Sequence, residues 1–310
     1  MLGPEHIGRR VAVRIRLRDA EPGRRFTDVT GELIEVGPVC WRVLPDSVAR
    51  SEAAVTIDAD AVVAARAVPP KPTPFSEILA LERALAATWP ATETADLGGW
   101  LLRFAHGYTR RANSALALTA PPGGVDAAAA AVADWYRARG ARPLIALAGP
   151  VTKRLEAELA DRGWTAEAET VVMTKAIEAV DYDGEAVVAD EPGPVHLAQS
   201  GRGAPAAAAV LGSGPGRGYA QIWRGGTDLA ARGRGALAGD LVAVTGIGTA
   251  EAYRRRGLGT EVLRALEAWG ASAGARRAAL QVEADNDAAL AMYAGLGYAE
   301  RYRYGYRAAP

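Results

Sequence analysis

The sequence predicts an α+β protein, in which a small all-β domain precedes a mixed α/β fold. Three observations support this prediction. Short β-like runs crowd the first 68 residues, residues 69–74 are rich in proline, and strand and helix patterns alternate from residue 75 onward. Dense short strands are typical of small barrels, and alternating strands and helices are typical of layered α/β domains.

The composition predicts an ordinary soluble protein. Of the 310 residues, 49% are hydrophobic and 23% are charged, and the formal net charge is +0. A balanced charge gives no general attraction to nucleic acid or to a membrane surface. The single Cys40 excludes an internal disulfide and fits a reducing compartment. With no basic-then-apolar leader and no long apolar run, we expect a cytoplasmic protein that does not contact membranes.

The first domain is predicted to be a barrel of five short strands over residues 1–68. Residues 9–18 alternate between apolar side chains, such as Val11 and Val13, and arginines. This period of two indicates a half-buried strand. Further β-like runs lie at 29–36, 39–44, 53–57 and 61–67. The arginine stripe lacks interleaved aromatic residues, so nucleic acid is not an expected partner.

A stiff proline-rich linker at 69–74 separates this domain from two α/β units, which we place at 75–180 and 181–310. The first unit is expected to contain helices and strands in alternation: a helix at 76–88, strands at 100–104 and 114–118, a helix at 125–139, a strand at 143–148, a helix at 152–162 and a strand at 170–174. The second is expected to contain antiparallel strands at 219–223, 227–237 and 241–249, then a helix at 260–272 and a strand at 278–283.

The two α/β units are predicted to be copies of one ancestral unit. A constant shift of 134 residues aligns Trp135 with Trp269, Gly140 with Gly274 and Trp164 with Tyr298. The same shift places Ala120 at the position of Arg254 and Leu159 at that of Tyr293. The first copy therefore lacks the polar groups of the second, and we expect it to be a degenerate unit that is structural or shapes a substrate pocket.

The turn after the strand at 241–249 has the properties of a pyrophosphate site. Its sequence from Arg254 to Thr260 contains Gly257 and Gly259 and leads directly into a helix. Glycines let the backbone pass close to a ligand, and the free N–H groups at a helix N-terminus favour an anion. The guanidinium of Arg254 suits phosphate oxygens.

Another motif follows the strand that ends at Glu283. It reads Asn286-x-x-Ala289-x-x-Met292-Tyr293, with Gly297-Tyr298 beyond it. Together with Arg254-x-x-Gly257-x-Gly259, this motif closely resembles the GCN5-related N-acetyltransferase (GNAT) superfamily. The arginine-glycine segment resembles its acetyl-CoA pyrophosphate loop, and the segment from Asn286 resembles its pantetheine-side helix with a tyrosine general acid. The layout is also similar to actinobacterial two-part GNAT proteins with an SH3-like N-terminal barrel.

The resemblance implies an acetyl-CoA-dependent N-acetyltransferase in which an amine attacks the thioester directly. Tyr293 would protonate the departing thiolate, and Glu283 or Glu251 would act as the base. A backbone N–H near 247–249 would stabilise charge on the carbonyl oxygen. The resemblance also implies a set of cofactor-binding residues: Ile247, Gly248, Thr249, Arg254, Arg255, Arg256, Gly257, Leu258, Gly259, Thr260, Asn286, Ala289 and Tyr293.

The chain also departs from the family pattern. Glu251 stands where the family usually has proline, and residues 183–218 are only weakly helical where the family has two substrate-facing helices. Gly246 and Gly248 indicate a strand bulge that would admit the thioester arm.

Plainer interpretations stay open for several residues. Tyr293 could be a packed core aromatic, and Asn286 could be a helix cap alone. Arg103, Arg111 and Asn113 could be functional groups or a structural polar network.

Other enzyme classes lack support in the sequence. The three histidines, at positions 6, 106 and 196, have no metal-ligand spacing, and no P-loop or serine-hydrolase motif occurs. We therefore expect no metal. An alternative candidate function is a catalytically silent acyl-CoA-binding sensor or regulatory module. The acceptor amine stays open between polyamine, amino acid, antibiotic and protein lysine.

Overall fold

The structure, a computed structural model, describes residues 2–17, 25–46, 54–200 and 204–310. By the contacts between its residues the chain divides into two units, Met1–Pro72 and Thr73–Pro310. Two of the predicted strand runs reach residues 18 and 53, which lie outside the described residues.

The described residues of the first unit form a five-stranded antiparallel sheet. Its strands are β1 (Arg10–Arg16), β2 (Phe26–Val36), β3 (Cys40–Pro45), β4 (Val55–Asp58) and β5 (Val62–Ala67). They lie in the order β4-β3-β2-β1-β5. Val11 and Val13 of β1 are fully buried against Leu33, Trp41 and Val43. The alternation in the sequence therefore produces one apolar face, as predicted.

The second unit contains one mixed sheet with helices on its faces. Its strands are β6 (Glu93–Leu97), β7 (Trp100–Phe104), β8 (Ala115–Ala117), β9 (Leu144–Leu147), β10 (Thr165–Ala176), β11 (Val187–Ala189), β12 (Arg217–Arg224), β13 (Asp228–Ala238), β14 (Leu241–Thr249), β15 (Arg277–Glu283) and β16 (Ala299–Ala308). Its helices are α1 (Phe75–Thr88), α2 (Val125–Arg137), α3 (Lys153–Ala160), α4 (Pro194–Gln199), α5 (Ala204–Leu211), α6 (Leu258–Ser272) and α7 (Asp287–Gly295).

The strand order shows that residues before and after 180 share this sheet. The order is β11-β12-β13-β14-β15-β10-β16-β9-β8-β7-β6. Strand β10 pairs antiparallel with both β15 and β16, so a strand from the middle of the chain lies between two strands from its end. β14 and β15 are parallel, as are β8 and β9. The unit boundary that we place near residue 180 stays a prediction.

Element spacing in the two halves follows the 134-residue shift. Helices α3 and α7 begin at Lys153 and Asp287, and strands β10 and β16 begin at Thr165 and Ala299. Thr170 of β10 pairs with Tyr304 of β16, which is its equivalent under the shift. This symmetry is what a duplication would produce, although the duplication itself stays a prediction.

The sheet has a helix packed on each face. Neighbouring strand residues point to opposite faces, and Val171 packs in the cluster with α6 whereas Val172 packs in the cluster with α1. Leu263 and Leu266 of α6 are fully buried in the first of these clusters. In the described ranges, no helix has the length and apolar character needed to span a bilayer.

Candidate active site

Strands β14 and β15 diverge and open a cavity between them. Their parallel pairing runs from Leu241 to Val244 on β14, while β14 stays paired with β13 as far as Thr249. The β13–β14 register shifts at a bulge that contains Gly246, whose φ of 63° favours glycine. The bulge expected from Gly246 and Gly248 is therefore present. The resulting space, which we call the splay cavity, has a volume of about 740 Å³.

An arginine anchors this bulge. Arg232 Nη1 donates to the carbonyl oxygen of Gly246 at 2.7 Å, and its Nη2 donates to the carbonyl oxygen of Gln199 at the end of α4. Burial lowers the pKa of Arg232. The bonds hold the divergent part of β14 against α4, and the region 183–218 does contain two short helices, α4 and α5.

The wall of the splay cavity at the start of α6 presents N–H groups that donate to no described residue. Gly257 is the N-cap of α6 in the left-handed conformation, with φ 79°, and no side chain in the described ranges caps the helix. The N–H of Glu261 donates to Gly257, so the N–H groups of Leu258, Gly259 and Thr260 precede the first helical hydrogen bond. Such a group of donors fits an anion.

Arg254 and Arg255 also line the splay cavity, but the Arg256 side chain does not. Arg256 Nη2 donates to the carbonyl oxygen of Ala252 at 3.0 Å, and its guanidinium lies 5.5 Å from the Tyr253 ring centre. The side chain therefore turns back over the preceding turn. All the other predicted cofactor-binding residues line the cavity.

Helix α7 forms the opposite wall. Asn286 caps it, because its Oδ1 accepts from the N–H of Ala289 at 3.1 Å. Tyr293 lies on the same helical face seven residues later and is 8% exposed. Its ring packs edge-on against Tyr298, with 5.9 Å between ring centres. No described residue forms a hydrogen bond with its hydroxyl, and burial raises the pKa of Tyr293, so the phenol carries its proton at neutral pH.

Another cavity, of about 440 Å³, lies next to the first. We call it the loop cavity, and it is lined by Gly107, Tyr108, Thr109, Arg110, Arg111, Thr170, Gln281, Glu283, Tyr304 and Tyr306. Gln281 and Glu283 also line the splay cavity. The end of β15 is therefore where a group bound in one cavity can meet a group bound in the other.

The two candidate bases have different positions. Glu283 lies at this junction with its side chain 59% exposed, and its carboxylate forms an ion pair with Arg110. Glu251 begins a short 3-10 turn after β14 and lines neither cavity.

Asn113 shapes the loop that forms one side of the loop cavity. Its Oδ1 accepts from the N–H groups of Ala105 and Gly107, and its Nδ2 donates to the carbonyl oxygens of Tyr108 and Thr109, at 2.8–3.0 Å. Thr109 has a φ of 57°, which is strained for a β-branched residue. Asn113 therefore has a structural role beside a cavity.

The other two residues of this polar group differ from each other. Arg103 is buried and donates to the carbonyl oxygen and the hydroxyl of Ser114 at 3.0–3.1 Å, so it belongs to a structural network. Arg111 lines the loop cavity. In the described ranges, no cluster of three or more His, Cys, Asp or Glu side chains could hold a metal ion.

Known proteins are similar to the chain in both units. A family model described as "Probable histone acetyltransferase Rv0428c C-terminal" matches residues 75–307. Another, described as "Rv0428c N-terminal Sm-like domain", matches residues 5–66. The predicted small all-β domain is thus Sm-like, and the SH3-like assignment is not confirmed. Strand number and spacing predicted only a small barrel, and the SH3-like assignment came from the resemblance to two-part GNAT proteins.

Individual relatives cover different parts of the chain. It is 28% identical over 257 residues to the uncharacterized N-acetyltransferase YobR of Bacillus subtilis, which covers 75% of this chain and 99% of that protein. It is 35% identical over 144 residues to probable histone acetyltransferase Rv0428c of Mycobacterium tuberculosis; this match covers 46% of the chain and less than half, 44%, of that relative. A GCN5-related N-acetyltransferase from Kribbella flavida has the same fold, with a TM-score of 0.54 and 17% identity over 75% of this chain and 95% of that one.

Proposed function

The chain belongs to the family described as "Probable histone acetyltransferase Rv0428c C-terminal" and has the GNAT fold, and from that premise we propose that it transfers an acetyl group from acetyl-CoA to an amine. The observation that carries the proposal is the junction of the splay and loop cavities at Gln281 and Glu283. Acetyl-CoA would supply an activated thioester in the splay cavity, and the loop cavity would hold the amine that attacks it. Two adjoining sites suit direct transfer, because both reactants can be held in contact at once.

The splay cavity has the groups that the cofactor needs. Arg254, Arg255 and the unpaired N–H groups at the start of α6 would bind the diphosphate. The bulge around Gly246 leaves backbone of β14 unpaired with β15, and an N–H in 247–249 would stabilise developing charge on the carbonyl oxygen.

Two side chains would move protons in this reaction. The Tyr293 hydroxyl keeps its proton at neutral pH and belongs to a residue that lines the splay cavity, so it would protonate the departing thiolate. Glu283 would accept the proton that the ammonium group of the acceptor must lose, directly or through water, while Arg110 holds the carboxylate in place.

An alternative candidate function is a silent acyl-CoA-binding module. The observation in its favour is that the carboxylate of Glu283 is already paired with Arg110. If that pair does not open, the site would bind the thioester without a base to activate an amine. The two functions therefore differ in turnover and agree in cofactor binding.

The test is a screen for acetyl-CoA consumption across classes of amine, with the variant Tyr293→Phe. As an enzyme, the variant should lose about a hundredfold in kcat while its affinity for acetyl-CoA stays the same, because only proton donation is removed. Tyr298→Phe is a matched control, since its ring touches Tyr293 but its hydroxyl is bonded to Glu267 at 2.8 Å. An unchanged rate in Tyr293→Phe would remove this residue from the mechanism. Hydrolysis with every amine, and no acetylated product, would favour the silent module.

A further inference from the structure

The loop cavity contains a guanidinium that has no hydrogen-bond or ion-pair partner among the described residues. Arg111 lines this cavity, its Nε is buried, and no hydrogen bond or ion pair joins its guanidinium to any described residue. The guanidinium lies 5.5 Å from the ring centre of Trp89, whose Nε1 donates to Thr109 of the cavity loop. The side chain is therefore held in place by packing, and its hydrogen-bonding capacity stays unused.

The charges of the cavity do not balance. Its lining contains two arginines and one carboxylate, and Arg110 is already paired with Glu283. One positive charge, on Arg111, is left over. An unpaired cation that is half-buried costs free energy, and an anion supplied by a ligand would remove that cost.

Glu82 does not supply the missing anion. It shares a small inner cavity with Arg111, but no ion pair forms between them, and its carboxyl group accepts from the Tyr302 hydroxyl at 2.7 Å. Burial raises the pKa of Glu82, while its hydrogen bond with Tyr302 and the charges of Arg103 and Arg111 act in the opposite direction. In the loop cavity, Arg111 therefore lies with Tyr304 and Tyr306 and forms no ion pair with a described carboxylate.

Near the junction with the splay cavity, the lining has acceptor groups. The Oε1 of Gln281 is buried without a hydrogen-bond partner, while its Nε2 lies 3.3 Å from the Tyr304 hydroxyl. The carboxylate of Glu283 lies at the same junction. The loop cavity therefore has hydrogen-bond acceptors near the splay cavity, on Gln281 and Glu283, and an unpaired cation, Arg111, on its lining.

We propose that the loop cavity binds a small amine that also carries a carboxylate, with Arg111 holding the carboxylate and Gln281 and Glu283 facing the amine. The assignment rests on the proposed function, because it takes the loop cavity as the acceptor site. A guanidinium binds a carboxylate through two parallel hydrogen bonds, which sets the orientation of the ligand. The volume of about 440 Å³ suits a small molecule.

The experiment compares each amine acid with its carboxamide. The full chain, saturated with coenzyme A, is titrated calorimetrically with the standard L-amino acids and with short aliphatic ω-amino acids, each beside its amide. We expect at least one acid to bind about tenfold or more tightly than its amide, as one charge-assisted interaction predicts. In Arg111→Gln this preference should vanish, and Arg111→Lys should keep part of it. Arg256→Gln, which changes an arginine outside both cavities, should keep all of it.

Any of three results would overturn the proposal. They are equal affinity for amides and acids, no binding of any acid, and an unchanged preference for acids in Arg111→Gln. Thermal unfolding of each variant shows that it is folded. Acetyl transfer is measured separately with the same compounds. Transfer without a preference for acids would contradict the carboxylate site and leave the acetyltransferase proposal standing. If acids bind selectively through Arg111 but no acetyl group is transferred, the acetyltransferase proposal is contradicted and the carboxylate site stands.

Discussion

Removing the amide of Asn113 should loosen the loop cavity without disturbing the splay cavity. The variant Asn113→Ala deletes four hydrogen bonds, to Ala105, Gly107, Tyr108 and Thr109. The bonds to Ala105 and Tyr108 are buried, so water cannot readily replace them, whereas the other two are partly accessible. The loop would then be free to leave the strained φ of 57° at Thr109.

The magnitude follows from these bonds. Each is worth about 1 kcal/mol net, and a buried group left without a partner costs about 1–3 kcal/mol. Relief of backbone strain at Thr109 offsets about 1 kcal/mol. Four bonds less the relieved strain give an expected fall in the free energy of unfolding of about 3 kcal/mol, and of more than that where the buried groups stay unpaired.

This prediction is tested by urea unfolding and by steady-state kinetics with the amine that gives the highest turnover. The KM for that amine should rise about tenfold or more, because Arg110 and Arg111 follow the loop, while the KM for acetyl-CoA should stay within about twofold. The matched control is Asn286→Ala, which removes one capping bond at 3.1 Å on the wall of the splay cavity. Asn286→Ala should lower the free energy of unfolding by about 1 kcal/mol and raise the KM for acetyl-CoA instead of the KM for the amine. The reasoning would be refuted if Asn113→Ala lowered the free energy of unfolding by less than about 1 kcal/mol, or if it raised the KM for the amine and the KM for acetyl-CoA equally.

Three further predictions follow from the site and the core. Arg254→Ala should weaken acetyl-CoA binding about tenfold in calorimetry, and Arg256→Ala should change it by less than about twofold, because Arg254 lines the splay cavity and Arg256 does not. Equal losses of affinity in the two variants would contradict this difference. Gly257→Ala should lower the free energy of unfolding in urea by about 1 kcal/mol, because the φ of 79° is unfavourable for alanine, and an unchanged stability would count against that conformation. Burial, with Arg232 and Arg234 nearby, lowers the pKa of His196 from 6.5 to about 4. Below pH 6.5 the unfolded chain therefore binds a proton at His196, whereas the folded chain binds it only near pH 4. The free energy of unfolding is therefore highest above pH 6.5 and falls by about 2–3 kcal/mol toward pH 4. His196→Leu should flatten this part of the urea-unfolding profile measured against pH, and a parallel fall in the variant would show that other groups cause it.

Residues that act through local backbone geometry could be predicted from the sequence. The resemblance to the GNAT superfamily and the fold class are confirmed by the family match. Gly257 and Gly259 allow a turn that only a few neighbouring residues define, so their position at the start of α6 follows from a short motif. The helix cap at Asn286 is confirmed, and it could be predicted because a cap also depends only on neighbouring residues. The roles of these residues in catalysis and binding stay predictions.

The loop cavity could not be predicted, because it depends on residues far apart in the sequence. The ion pair of Arg110 with Glu283 joins positions 173 residues apart. No local pattern places the segment after β7 beside the end of β15. The side chain of Arg256 was also beyond prediction, since its packing on Tyr253 decides its direction.

Strand β16 was missed although the sequence carries a signal for it. Tyr302, Tyr304 and Tyr306 are 4–5% exposed and alternate with Arg301, Arg303, Gly305 and Arg307, which is the pattern of a strand with one buried face. Strand β6 is harder to recognise, because its five residues include two acids and a threonine. The short β11 has the same difficulty, with three residues at the edge of the sheet.

The placement of β10 between β15 and β16 has a consequence for how the chain acquires its structure. During synthesis, β10 emerges more than a hundred residues before the two strands that flank it. Until the last strand leaves the ribosome, the central part of the sheet has unpaired backbone edges, which are sites for aggregation. A fragment that stops short of residue 299, or one that begins at residue 181, would keep such an edge permanently. The α/β region should therefore be expressed and studied as one piece.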